Sequence, residues 1–195
     1  MIDRISEFIT KKIRENNINI TDERAEIIAY GINIITYQAI VTLIIFIIAF
    51  FLGLFSYAFI SFVIIGLLRS TIGGAHSHTR LQCIVMHSIS IFGTILISNY
   101  IKFNSYYPLI FIFIISILII LKYAPGETAD GPLHSDSQKR SQRIAGIAIE
   151  AITFLVCLFL KNIDIRLYYV AIISSFLPII FLTPIGYLVL GCKRN

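Results

Sequence analysis

Six apolar runs, separated by short polar segments, organise this sequence. They cover residues 33–52, 57–68, 84–101, 106–121, 144–160 and 167–190. A helix needs about 20 residues to cross the hydrocarbon core of a bilayer, and most of these runs reach or approach that length. Because 57% of the 195 residues are hydrophobic and only 14% are charged, one soluble core could not bury so many apolar segments. The sequence therefore predicts an all-α, polytopic helical membrane protein with about six apolar segments and four to six crossings.

The N-terminal region, residues 1–30, is more highly charged than the rest of the chain. Isoleucines recur there at helical spacing, at positions 2, 5, 9 and 13, which is typical of an amphipathic helix on a membrane surface. Thr21 is the predicted N-cap of a following helix that runs on into the first apolar run. We expect residues 1–195 to form a single integral-membrane domain.

The second apolar run has only 12 residues, too few to cross a bilayer alone. Either its helix continues through Ser70 and Thr71, with the Arg69 side chain reaching towards the surface, or the segment dips into the membrane and returns. Both alternatives put the polar segment that follows near the membrane surface.

The distribution of basic residues predicts which side of the membrane each segment faces. With six crossings, thirteen of the sixteen Lys and Arg residues fall on the same side as the two termini and the polar loops 69–83 and 122–143. Cytoplasmic segments carry this excess of positive charge, so we expect both loops and both termini in the cytoplasm of a multi-pass cell-membrane protein. The net charge of +5 is explained by topology, and no nucleic-acid partner is expected.

The loop 69–83 carries the residues that indicate chemistry. Gly73 and Gly74 free the backbone just before His76, and Cys83 lies seven residues after that histidine. Seven residues are nearly two helical turns, so the two side chains would share a helix face. A thiol becomes a nucleophile near neutral pH when a neighbouring base takes its proton. This spacing favours a cysteine nucleophile paired with a histidine base.

Spacing alone leaves other interpretations of these residues open. His87 is also on the face of Cys83 and could serve as the base. His76 and His78 could join Cys83 and His87 in a metal site, although their spacing matches no common zinc pattern. The same residues could simply be polar groups at two helix ends. Cys83 also begins a polar stripe that continues through His87, Ser90, Thr94 and Ser98. This stripe either lines a groove for a peptide or packs against other helices.

Two motifs make the sequence similar to the AgrB family (accessory gene regulator protein B). The first is Arg69 followed by Gly73-Gly74-Ala75-His76, with Cys83 seven residues further on. The second is Ala124-Pro125-Gly126-Glu127-Thr128, followed by Pro132-Leu133, which resembles the Ala-Pro-x-x-Thr segment of the family. Gly126 is a mild departure, because the family often has alanine there.

The resemblance implies a bacterial membrane cysteine endopeptidase, with His76 as the base and Cys83 as the nucleophile. Its implied substrate is an AgrD-type propeptide, the precursor of a cyclic quorum-sensing peptide. Cys83 would cleave off the acidic C-terminal tail through a thioester, and an internal cysteine or serine of the propeptide would close a thiolactone or lactone. No metal or other cofactor is expected, and the bilayer is the other expected partner. Gly, Ser and Thr positions permit packing as a homodimer but do not require it.

Further residues are candidates for supporting roles in this reaction. Gln82 could stabilise an oxyanion, and Glu127 and Asp130 could orient His76 if the two cytoplasmic loops meet. Five basic residues could bind the acidic tail of the substrate: Arg69, Arg80, Lys139, Arg140 and Arg143. The alternative function is a non-catalytic peptide transporter, in which Pro178, Pro184 and Thr94 mark a pathway.

Overall fold

The computed structural model of the protein describes residues 12, 21–75, 80–101, 105–127 and 135–192. The predicted N-terminal amphipathic helix falls almost entirely outside these residues. The chain divides into two compact units, residues 1–53 and residues 54–195.

The described part of the first unit contains one long helix, α1 (Asp22–Phe51). The Thr21 hydroxyl accepts a hydrogen bond from the backbone N–H of Arg24 at 3.4 Å, which confirms the predicted N-cap. The helix runs through the whole first apolar run, as expected, and is long and apolar enough to cross a membrane. It ends at Leu52 and Gly53, where a positive φ of 67° turns the chain.

The second unit contains six helices among the residues that the structure describes. They are α2 (Phe55–Ile72), α3 (Arg80–Ser98), α4 (Tyr107–Tyr123), α5 (Asp136–Leu160), α6 (Ile165–Leu182) and α7 (Pro184–Leu190). Counting α1, five helices in the described ranges have the length and hydropathy of a membrane span, and α4 is a shorter apolar helix of 17 residues. The predicted all-α, polytopic membrane fold is confirmed.

Two helix ends settle questions that the sequence left open. Helix α2 continues through Arg69, Ser70 and Thr71 to Ile72, so the second apolar run is extended rather than folded back. The last apolar run is divided between α6 and α7, because Pro184 lacks the N–H that a continuing helix needs but is suited to the first turn of a new one.

Helix α6 is the central element of the second unit. It packs against α2, α3, α4, α5 and α7. Residues along its whole length are buried, including Tyr168, Ile172, Ile179 and Leu182. Eleven of its eighteen residues are buried, so apolar side chains are needed around most of its circumference, which explains the unbroken hydropathy of this segment.

Three buried hydroxyl groups join α2, α3 and α6. The Ser61 Oγ lies 3.0 Å from the Thr94 Oγ1, and the Ser174 hydroxyl donates to the Ser61 Oγ, also at 3.0 Å. We call these three residues the hydroxyl clasp. Small polar side chains of this kind hydrogen-bond across helices where no water is present. Ser90 and Ser98 of the polar stripe are buried as well, so this part of the stripe packs between helices.

The ends of α2, α4, α5 and α6 that lie away from the polar loops are joined by aromatic and charged side chains. Asp164 caps α6 by accepting from two backbone N–H groups and also accepts from the Tyr57 hydroxyl at 3.0 Å. The Arg166 guanidinium lies 4.5 Å from the centre of the Tyr57 ring, and the Lys161 Nζ lies 3.3 Å from that of Tyr106. We call this set of five residues the aromatic end.

Candidate active site

The two polar loops meet at one end of the second unit. Gly73 and Gly126 form an isolated parallel bridge, in which the Gly126 N–H donates to the Ile72 carbonyl at 2.8 Å. The Gly74 N–H in turn donates to the Gly126 carbonyl at 3.2 Å. We call residues 72–75 and 124–127 the loop junction. The meeting of the loops was the condition under which an acid of the second loop could approach His76.

Only glycine fits at the centre of the loop junction. Gly73 and Gly74 have φ values of 68° and 123°, which side-chain-bearing residues rarely adopt. A Cβ atom on Gly126 would lie 2.5 Å from the Gly74 Cα and 2.8 Å from the Tyr187 hydroxyl. From the sequence, Gly126 was a departure of little consequence; in the structure its missing side chain is what lets the two backbones touch.

Arg69 and the end of α6 hold the residue that precedes His76. The Ala75 N–H donates to the Phe181 carbonyl at 3.1 Å, and the Arg69 guanidinium donates to the Ala75 carbonyl. The same guanidinium lies 5.4 Å from the centre of the Phe181 ring. Ala75 is fully buried, so both of its backbone polar groups are satisfied inside the protein.

Cys83 lies in the first turn of α3, which begins at Arg80, and its side chain is exposed. Gln82 is exposed beside it. The Arg69 guanidinium is within electrostatic range of the Cys83 thiol and of Tyr187.

The other histidines of this region are placed only in part. His87, one turn after Cys83, is half-buried, and its ring centre lies 6.0 Å from that of Phe62 in an edge-on arrangement. His76 and His78 lie outside the described residues. The pairing of His76 with Cys83 and the alternative metal site therefore stay predictions.

The second loop is held by side chains from α5 and α7. The Lys139 Nζ lies 3.1 Å from the Glu127 carboxylate. Arg143 donates to the Ala124 carbonyl from Nε at 3.1 Å and from Nη2 at 2.9 Å. The Tyr187 hydroxyl donates to the Glu127 carbonyl at 3.1 Å.

These contacts divide the basic candidates for substrate binding. Arg69, Lys139 and Arg143 have partners within the protein, whereas Arg140 is exposed on α5. Arg80 begins α3, but its side chain is not among those that the structure describes, and neither is Asp130.

Sequence reasoning missed Phe181 and Tyr187, which both contact the loop junction. Their segment appeared only as the end of an apolar run. The signal that could have revealed them is the break at Thr183-Pro184 followed closely by a tyrosine, since a buried tyrosine needs a partner for its hydroxyl.

A bundle of membrane-length helices with two polar loops paired at one end, and an exposed cysteine in the helix that follows the first loop, defines a multi-pass membrane protein with a loop-built site. The sequence model of the family described as Accessory gene regulator B matches residues 4–183. The chain belongs to this AgrB family, as the two motifs predicted.

Curated relatives agree with this assignment. An AgrB-like protein of Clostridium acetobutylicum is 30% identical over 197 residues, covering 98% of this chain and 90% of the relative. Two AgrB-like proteins of Clostridium perfringens, from strains SM101 and 13, are each 31% identical over 180 residues, covering 87% of this chain and 79% of each relative. No solved structure matches the chain. Membership of the AgrB family supports involvement in agr quorum sensing and a role in propeptide processing.

Proposed function

We propose that the protein is a membrane-embedded cysteine endopeptidase that cleaves the C-terminal tail from an AgrD-type propeptide and promotes cyclisation of the remaining signal peptide. Cys83 is the nucleophile and His76 is the base. The observation that carries the proposal is the exposed Cys83 thiol in the first turn of α3. The loop before this helix carries His76, and the Arg69 guanidinium holds the preceding residue, Ala75.

The reaction proceeds in two balanced steps. His76 takes the Cys83 proton, and the thiolate attacks the carbonyl carbon of the last residue of the signal segment. The C–N bond breaks, the tail leaves as an amine with the proton from His76, and a thioester remains on Cys83. An internal thiol or hydroxyl of the propeptide then attacks this thioester, a thiolactone or lactone ring forms, and the Cys83 thiol is restored.

Ring closure must compete with hydrolysis of the thioester. Exchange between two thioesters is nearly isoenergetic, so the outcome depends on which nucleophile reaches the carbonyl. A site at the end of membrane-length helices limits the access of water and favours the tethered internal nucleophile.

We assign recognition of the acidic tail first to Arg140. Its side chain is exposed, while Arg143 is directed to the Ala124 carbonyl and Lys139 to the Glu127 carboxylate. Arg80 is the second candidate, because it begins the helix that carries Cys83. In the proposed orientation, this end of the bundle and both termini face the cytoplasm, where the thiol stays reduced.

The test is propeptide cleavage in reconstituted vesicles by the wild type and four variants: Cys83→Ala, Cys83→Ser, His76→Ala and His87→Ala. We expect Cys83→Ala and His76→Ala to abolish cleavage and His87→Ala to keep most of it. A thioester trapped on the wild type and absent from Cys83→Ala identifies the nucleophile. Cleavage by Cys83→Ala would overturn the proposal and, with chelator sensitivity, favour the metal site. Absence of cleavage by the wild type would instead favour the peptide transporter.

A further inference from the structure

Helix α7 lies beyond the residues that the family model matches, yet it reaches the loop junction. We propose that Tyr187 of this helix is a positioning residue, which sets the geometry of the loop that carries His76. This inference rests on the proposed function of His76 and Cys83.

The Tyr187 side chain is buried against the backbone of the second loop. It is 3% exposed, and its hydroxyl donates to the Glu127 carbonyl at 3.1 Å. Because a Cβ on Gly126 would lie only 2.8 Å from this hydroxyl, the phenol end is in close contact with the Gly126–Glu127 backbone. Tyr187 is thus anchored to the part of the second loop that pairs with Gly73 and Gly74.

The first loop is held by the end of α6, which directly precedes α7 in the chain. The Phe181 carbonyl, one residue before the end of α6, accepts the Ala75 N–H at 3.1 Å. Gly186 packs directly against the Phe181 backbone, leaving no room there for a side chain. The turn at Thr183-Pro184 therefore makes Phe181 and Tyr187 one support, with Phe181 contacting the first loop and Tyr187 the second.

This support acts on the proposed base through the backbone. His76 follows Ala75 directly, and Ala75 follows the Gly73-Gly74 pair, in which the Gly74 N–H donates a hydrogen bond to the Gly126 carbonyl. If the second loop shifts, the bridge that fixes the start of the first loop shifts with it. A displacement of about 1 Å between reacting groups can lower a rate roughly a hundredfold.

Tyr168 offers a matched control. It is also a fully buried tyrosine, but it lies near the aromatic end, and its hydroxyl has no hydrogen-bond partner among the described residues. Tyr168→Phe and Tyr187→Phe remove the same atom, and only the second breaks a hydrogen bond to a loop. Leu188→Ala, on the exposed side of α7, controls for changes in that helix.

The experiment uses the full chain in vesicles and two readouts. The first is the kcat and KM of propeptide cleavage. The second is the pH dependence of Cys83 alkylation, followed by mass mapping of the cysteine peptide, which reports whether a histidine base activates the thiol. For Tyr187→Phe we expect kcat to fall about tenfold with KM within about twofold, and the alkylation profile to move towards that of His76→Ala. Tyr168→Phe and Leu188→Ala should match the wild type.

A second variant approaches the same support without changing the tyrosine. Gly186→Ala forces α7 away from the Phe181 backbone, so it should give the same signature as Tyr187→Phe. It also keeps the proposal testable if Tyr187→Phe is poorly produced.

Other results of these experiments would contradict either the positioning role of Tyr187 or the proposed dyad. Wild-type kinetics in Tyr187→Phe, or equal losses in Tyr187→Phe and Tyr168→Phe, would overturn the positioning role. A lower kcat with an unchanged alkylation profile would also overturn it, because the base would then still reach Cys83. If His76→Ala itself leaves both readouts unchanged, the proposed dyad fails, whatever Tyr187→Phe shows.

Discussion

The loop junction and the aromatic end both join the ends of helices in the second unit, but they do so through different kinds of contact. At the aromatic end, long side chains make the contacts, such as the Tyr57 hydroxyl on Asp164. At the loop junction, backbone meets backbone through Gly73, Gly74 and Gly126, with no space for side chains. A single side-chain contact can be removed by substitution while the others remain, whereas a backbone contact between glycines leaves no space for an added Cβ atom. The loop junction should therefore be the less tolerant end.

The largest expected effect is that of Gly126→Ala. The added Cβ would lie 2.5 Å from the Gly74 Cα, so the two loops must separate. We expect propeptide cleavage to fall at least about a hundredfold. The matched control is Gly66→Ala in α2, where a Cβ meets nothing within 4 Å. Equal cleavage by both variants would mean that the bridge between the loops has no role in the reaction.

Arg69→Lys should have the next largest effect. Lysine keeps the charge but loses the planar group that lies over Phe181 while donating to the Ala75 carbonyl. We expect cleavage to fall about ten- to a hundredfold. The counterpart at the aromatic end is Arg166→Lys, which should leave kcat within about twofold, because this residue is remote from the loops. A greater loss in Arg166→Lys than in Arg69→Lys would reverse the proposed contrast.

Tyr57→Phe tests the aromatic end through stability. Removing the hydroxyl breaks its hydrogen bond to Asp164 at 3.0 Å, and we expect the protein to lose about 1 kcal/mol of stability. Cleavage by the folded protein should not change. Thermal unfolding in detergent and cleavage in vesicles measure the two quantities separately. A loss of cleavage at unchanged stability would show that the two ends are coupled.

The smallest expected effect is that of Lys139→Met. The ion pair with Glu127 has a Lys139 side chain that is 34% exposed, so solvent and salt screen the attraction. We expect at most about 1 kcal/mol of stability to be lost and cleavage to fall less than about threefold. The difference from the wild type should shrink further in high salt. A larger loss that persists in high salt would instead indicate direct contact of Lys139 with the substrate.

The helices were predictable from sequence because a membrane span carries a strong, local signal. Six apolar runs marked α1 to α6, and Thr21 marked the start of α1, whereas α7 was hidden in the last run. Within residues 69–83, the structure places Arg69 in α2 and Cys83 in α3, in agreement with the alternative in which the second apolar helix continues past Arg69.

From the sequence, the contact between the two loops could be stated only as a condition for Glu127 or Asp130 to approach His76. Pairing between glycine backbones leaves no side-chain pattern in a sequence, so Gly126 looked like a neutral change. The partners of Arg69, Arg143 and Tyr187 are backbone carbonyls, which every residue possesses. Nothing in the one-dimensional pattern distinguishes the carbonyl that accepts from its neighbours.

The hydroxyl clasp has a mechanical consequence for the site. Ser61 lies 11 residues before Ile72 on α2, and Thr94 lies 11 residues after Cys83 on α3. At a rise of about 1.5 Å per residue, Ile72 and Cys83 are each roughly 16 Å from the clasp. A tilt of about 4° around this pivot would move the thiol by roughly 1 Å. Because bilayers of different thickness change the tilt of helices, we expect lipid chain length to change the rate of the proposed reaction.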